Sequence, residues 1–206
     1  MHLPGVLAAV VEQLRRPGSL VVLPTETLYG FSARAMDAAS VERVAALKGR
    51  QAAGFVALAA SLEQVQRFLT PETPPAVLDW LRKTWPAPLS AILPVNGPLC
   101  WGRGSVESGW TAAFRVPAHA WMRQLAESLG EPVLSTSVNR TGAPPLRRVA
   151  DIVEHFGDHV DLVVEDTALE QATAAIASTL LDATRWPPRV VRRGACPVGF
   201  EQAGEA

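Results

Sequence analysis

Two cations, Lys48 and Arg50, flank Gly49 in the stretch "ALKGRQ". Lys supplies a compact point charge and Arg a planar fork of donors, a combination that suits a polyphosphate. Gly49 carries no side chain, so the backbone between them can approach a ligand closely. The same residues fit a helix end, because cations in the last turn complement the dipole and glycine just past it takes the left-handed cap. The ligand reading expects an extended segment, in which Lys48 and Arg50 share one face; on a helix, residues two apart diverge. A second cluster lies in "STSVNRTGAPP", where Ser135, Ser137 and Asn139 recur at every second residue before a Gly/Pro loop. That spacing puts three short polar groups on one face at the end of a strand, the place where open α/β sheets bind ligands. Satisfying turn backbone is the other use such residues have. "PTETLYG" repeats the arrangement, with Thr25, Thr27 and Tyr29 alternating after a buried strand, or with Tyr29 packed inward.

The elements that must position these groups are read from periodicity. Val6, Leu7, Val10, Val11 and Leu14 follow helical spacing until Pro17-Gly18 interrupts it, and "SLVVLPTET" then reads as a buried strand. Further helices are expected over 40–48, from a Ser61–Gln64 capping box through Leu69, over 76–83, around Trp121 to Leu129, and over 147–157 with Gly157 as its cap. Strands are expected in "GFVALAA", "PLSAILPV", "TAAFRVP", "PVLSTSV", "VDLVV", "STLLDA" and "RVVRR". Apolar strands without polar alternation are covered on both faces, so the expected architecture is α/β, a twisted, mixed sheet sandwiched by helices.

The totals narrow the function. A chain of 206 residues that is 48% hydrophobic can bury a substantial core, and one domain over 1–206 is expected, with its core at about 3–195. A net charge of −1 argues against a protein that coats nucleic acid with its whole surface. Charge is nevertheless uneven: the segment from Asp151 to Glu170 has carboxylates and no Lys or Arg, whereas Arg185, Arg189, Arg192 and Arg193 crowd one stretch. The apolar runs are strand-sized and the N-terminus lacks the order of a signal peptide, so a soluble, cytoplasmic protein with no membrane contact is expected. There is no GxxxxGK[ST] and no GxGxxG, hence no Walker-type or dinucleotide loop. His155 and His159 are four apart without an evident third ligand, and Cys100 and Cys196 have no metal-site spacing.

Six segments in order, "LPTETLYGFSA", "ALKGRQ", "TWPAPLSAILP", "FRVPAHAW", "STSVNRTGAPP" and "VVRRGA", resemble the YrdC/TsaC family of threonylcarbamoyl-AMP synthases in its short form. The resemblance spans nearly the whole chain. It implies a YrdC-like fold with a concave basic groove and the formation of threonylcarbamoyl adenylate and pyrophosphate from L-threonine, bicarbonate and ATP. It also implies Mg²⁺ carried on the ATP, and an adenylate handed to threonylcarbamoyl transferase proteins for the N6-threonylcarbamoyl modification of adenosine 37 in tRNA, with tRNA itself a possible partner. By the resemblance Lys48, Arg50, Ser137 and Asn139 line the nucleotide site, and Thr111 and Arg192 contact ATP. Thr25, Tyr29, Arg115, Ser135 and Ser178 form the threonine site, with no protein-held metal. Gln51, Val138 and Ala87 stand where the family has Pro, Ala and Gly, and Val138 is expected to point away from Ser137 and Asn139. Two other classes fit part of the pattern: a non-catalytic binder of structured RNA using the same groove, and a relative that adenylates carbamoyl groups from carbamoyl phosphate.

Overall fold

The computed structural model describes residues 4–50, 54–105, 109–171 and 176–200. Helix α1 (Pro4–Leu14) precedes a hairpin of β1 (Val21–Leu23) and β2 (Gly30–Arg34), followed by α2 (Ala38–Lys48) and β3 (Val56–Leu58). Next come α3 (Leu62–Gln66), α4 (Pro75–Thr84), β4 (Leu89–Val95), β5 (Arg103–Ser105) and β6 (Gly109–Arg115). The chain continues through α5 (Ala120–Leu129), β7 (Val133–Ser137), α6 (Val149–Phe156), β8 (Leu162–Val163), α7 (Thr167–Gln171), β9 (Thr179–Asp182) and β10 (Arg189–Arg192). The strands form one mixed sheet in the order β10-β9-β4-β6-β3-β7-β2-β1-β8, with β5 paired to β6.

Successive strand residues fall to opposite faces, and both faces are apolar. Val21, Leu23, Leu58 and Val133 pack with α1 and α5 through Val10, Leu14, Met122 and Leu125. Val22, Phe31, Ala57 and Leu134 pack on the other side with Val41, Val44, Leu81 and Ile152. The sheet is therefore covered on both faces, as the unalternated strands imply. Among the described residues, no helix is long and apolar enough to cross a membrane.

Several expectations change at close range. The segment "SLVVLPTET" is strand only at β1; Pro24 to Tyr29 form a tight connection into β2, which pairs antiparallel with Leu23 opposite Gly30. Thr25, Thr27 and Tyr29 therefore alternate along a turn, held by the Thr25 hydroxyl. That oxygen donates to the Leu28 carbonyl (2.7 Å) and accepts from the Thr27 and Leu28 amides (3.1 Å each). Strand β2 was not expected: "GFSAR" is short and too small-residued to announce itself, yet it supplies the pairing partner of β7. Ser61 does cap α3, accepting from the Gln64 amide (3.3 Å), but the Gln64 side chain reaches back to the Ala60 amide instead of Ser61. Gly157 ends α6 in right-handed geometry (φ −53°) and runs into a 3-10 turn over 157–159, so it is no left-handed cap. On α6, Ile152 and Phe156 are buried whereas Val153 is 50% exposed.

Candidate functional site

Asp37 opens α2, its carboxylate accepting from the Ala39 and Ser40 amides, and Gly49 closes it in left-handed geometry (φ 66°, ψ 37°). The Gly49 amide bonds to the Ala46 carbonyl (3.1 Å) and the Arg50 amide to the Ala45 carbonyl (3.2 Å), the paired bonds of a Schellman cap. The helix-end reading of Lys48, Gly49 and Arg50 is thus correct as local structure, and the extended segment is not. The two cations share a hollow nonetheless. The left-handed residue turns the chain through a sharp angle, so Lys48 on the last turn and Arg50 beyond it line one hollow despite being two apart. Gln51 lies outside the described residues.

That hollow, of about 250 Å³, opens where the β1–β2 turn, the end of α2, the start of β3 and the ends of β6 and β7 meet the C-terminal strands. On its wall β7 brings Ser135 and Ser137 beside β2, with Gly30 in register opposite Ser137. A Cβ at Gly30 would sit 2.4 Å from the Ser135 hydroxyl, so a side chain here would turn that hydroxyl away from its present place on the wall. Val138 is fully buried and points away, as its place between Ser137 and Asn139 predicts.

The polar groups are coupled. Lys48, 3% exposed, donates from Nζ to the Ser137 carbonyl (2.8 Å) and Asn139 Oδ1 (2.5 Å), and lies 3.5 Å from Ser137 Oγ. Ser137 Oγ donates to Asn139 Oδ1 (2.6 Å), and Asn139 Nδ2 is fixed by the Arg140 (3.0 Å) and Ala143 (2.6 Å) carbonyls. Burial, and secondarily the Arg50 charge, pull the Lys48 ammonium down to about 8. Arg50 stacks on the Phe55 ring, with its guanidinium carbon 4.5 Å from the centroid. Burial lowers its pKa as well, with Arg103 adding to the effect.

Across the hollow, Arg115 is 5% exposed at the end of β6, with Nη1 3.4 Å from the Thr27 hydroxyl. Arg192 donates from Nε (3.2 Å) and Nη2 (2.9 Å) to the Ser178 carbonyl, and Ser178 Oγ shares a hydrogen bond with Ser90 (3.0 Å). The Tyr29 hydroxyl accepts from the Asp166 amide (2.7 Å) and donates to its carbonyl (3.1 Å), which fixes the ring; burial raises its pKa to about 12, so the phenol keeps its proton.

The hollow therefore unites Lys48, Arg50, Ser137, Asn139, Arg192, Thr25, Tyr29, Arg115, Ser135 and Ser178. It does not include Thr111. That residue borders a second, more apolar hollow of about 170 Å³ with Trp101, Arg103, Ile92 and Val191, and Gly54 is common to the two. Sequence reasoning missed Gly30, Phe55 and Glu26. Phe55 could have been found as the first large aromatic after the cation pair; Glu26, as the carboxylate between the two threonines of "PTETLYG".

An arrangement of two cations, a Ser-x-Asn pair and a third, buried guanidinium around one cavity can hold a polyphosphate beside a small carboxylate ligand. A family model for Sua5/YciO/YrdC proteins, described as telomere recombination, matches residues 13–194. The chain belongs to the Sua5/YciO/YrdC family. A threonylcarbamoyl-AMP synthase of Nitrosococcus oceani is 33% identical over 166 residues, 80% of this chain and 88% of that relative. One from Pyrococcus abyssi is 32% identical over 186 residues, 89% of this chain and 52% of the relative. The crystal structure of P. abyssi Sua5 complexed with L-threonine superposes with a TM-score of 0.82 at 28% identity, covering 95% of this chain and 58% of that one. This chain thus spans about half the length of the Pyrococcus members of the Sua5/YciO/YrdC family and most of the Nitrosococcus one.

Proposed function

We propose that this protein is a threonylcarbamoyl-AMP synthase, a nucleotidyltransferase that forms L-threonylcarbamoyl adenylate and pyrophosphate from L-threonine, bicarbonate and ATP. The observation that carries the reading is the convergence of Lys48, Arg50, Ser137 and Asn139 with Arg115 and Ser178 on one hollow. Lys48 and Arg50 neutralise the triphosphate, Ser137 and Asn139 orient it, and Arg115 receives the threonine carboxylate. Thr25, Ser135 and Ser178 bound the threonine side, with Tyr29 as its rigid wall. Thr111 and the apolar hollow next to it suit the nucleoside, and Arg192 stands between the two regions.

The chemistry needs placement more than a base. Carboxylation of the threonine amine by bicarbonate, with loss of water, gives an anionic carbamate. One carbamate oxygen then attacks the α-phosphorus, the bond to the bridging β-phosphate oxygen breaks, and pyrophosphate leaves with its electron pair. Among the described residues no His or Cys lines the hollow, and none is required for this displacement. Mg²⁺ enters this reading on the phosphates of its substrate, where it neutralises charge together with Lys48 and Arg50. The adenylate is a mixed anhydride and must be consumed by an acyl-transfer step, which fits transfer to tRNA adenosine 37 by a partner transferase in the cytoplasm.

The test is pyrophosphate release from ATP and Mg²⁺, with and without threonine and bicarbonate. Release that requires both supports the reading. Release with carbamoyl phosphate in their place would assign the chain to carbamoyl adenylation, and no release together with salt-sensitive RNA binding would make it a binding module.

A further inference from the structure

Glu26 sits at the tip of the β1–β2 turn with its side chain 15% exposed, and both of its carboxylate oxygens are buried without a hydrogen-bond partner. A carboxylate left so is costly unless a cation compensates it. The cation beside it is Arg115, whose Nε lies 3.7 Å from Oε1 and is itself buried without a hydrogen-bond partner. A second basic group whose charge couples to Glu26 is the His119 imidazole, which also faces Asp166 (3.9 Å). Burial lowers the His119 pKa, against the opposing pull of Glu26 and Asp166, so the permanent cation paired with Glu26 among the described residues is Arg115. Arg115 in turn feels Glu26 as its favourable charge and Arg192 as its unfavourable one.

A guanidinium has two edges that can engage a carboxylate, and which edge faces a ligand depends on what occupies the other. Here Glu26 occupies the Nε side and Thr27 approaches Nη1, both delivered by one turn that the Thr25 hydroxyl braces. We propose that Glu26 is a positioning residue: it holds the Nε edge of Arg115 so that the terminal nitrogens present to the hollow a fork of fixed orientation for the carboxylate of an α-amino acid. This rests on the synthase reading above and extends it to a residue that does not line the hollow. Two effects oppose each other. As an anion, Glu26 repels an incoming carboxylate through Arg115; as a brace, it fixes the guanidinium plane. The burial of both charges decides for the brace: the 3.7 Å ion pair with Glu26 is the contact that Nε has among the described residues, and removing it would leave a buried guanidinium edge with no described group beside it.

The experiment is steady-state pyrophosphate release with threonine and ATP varied separately, for wild type, Glu26→Gln and Glu26→Asp, alongside thermal melts. Glu26→Gln is expected to raise the threonine KM about tenfold while the ATP KM stays within about twofold. Glu26→Asp, which keeps the charge but withdraws it, should fall between. If Glu26→Gln does not fold, Glu26→Asp decides alone, a selective rise in threonine KM supporting the role. A threonine KM that is unmoved or lowered, or equal losses for both substrates, overturns it while leaving the synthase reading standing. A wild-type protein without threonine-dependent release overturns both.

Discussion

Lys48 carries the most consequential protonation state in the hollow. Its ammonium is buried, donates to the Ser137 carbonyl and Asn139 Oδ1, and titrates at about 8 against an ordinary 10.5, chiefly through desolvation and then through Arg50. In the free protein Lys48 is therefore mostly charged at pH 7 and loses its charge as pH rises through 8. Since kcat/KM reports the free enzyme, kcat/KM for ATP is expected to fall above about pH 8. A bound triphosphate favours the charged form, so kcat should hold to higher pH. Stability moves the other way. The unfolded chain binds the extra proton between 8 and 10.5, so the ligand-free protein becomes more stable as pH climbs through that window. Paired pH profiles of kcat/KM and of urea midpoints check both signs, and a kcat/KM flat to pH 10 would remove Lys48 from triphosphate binding.

At the scale of elements, Gly49 was legible and its consequence was not. Glycine after an apolar helical stretch announces a cap, but side-chain periodicity describes only repeating backbone, and one left-handed residue lies outside every period. The cap is what reconciles Lys48 with Arg50. Similarly, Thr25, Thr27 and Tyr29 keep alternate spacing in a turn, because the Thr25 hydroxyl substitutes for a strand partner. A Cβ on Gly49 would meet no heavy atom within 4 Å, so its replacement is penalised by backbone conformation alone. Gly49→Ala is expected to destabilise the protein by about 1 kcal/mol. Gly49→Asn, which tolerates the left-handed region, should retain most of the stability and turnover. Urea denaturation of the two variants separates this from a steric effect, in which the bulkier Asn would be the worse.

At the scale of the whole molecule, what the sequence left unread was long-range pairing. Most helices, most strands and the two polar clusters follow from local pattern, but nothing local says that β3 lies between β6 and β7, or that β9 runs parallel to β4. Those pairings bring Ser178 and Arg192 to the same hollow as Lys48, and place Thr111 in the adjoining one. The hollow thus joins segments from the first hairpin to the last strand, and a ligand filling it binds only when all are assembled. Mg²⁺ and ATP at about a hundredfold excess over Kd should stabilise the folded state by about 2.7 kcal/mol, visible as a rise in Tm. The gain should be strongly reduced in Arg192→Ala, because that side chain ties Ser178 and the C-terminal hairpin to the ligand region. Hydrogen exchange locates the effect: added nucleotide should slow exchange in β9 and β10 as well as at the end of α2. If ATP raises Tm equally in Arg192→Ala, or protects only the α2 end, the nucleotide occupies the Lys48 side alone and the C-terminal strands are scaffold.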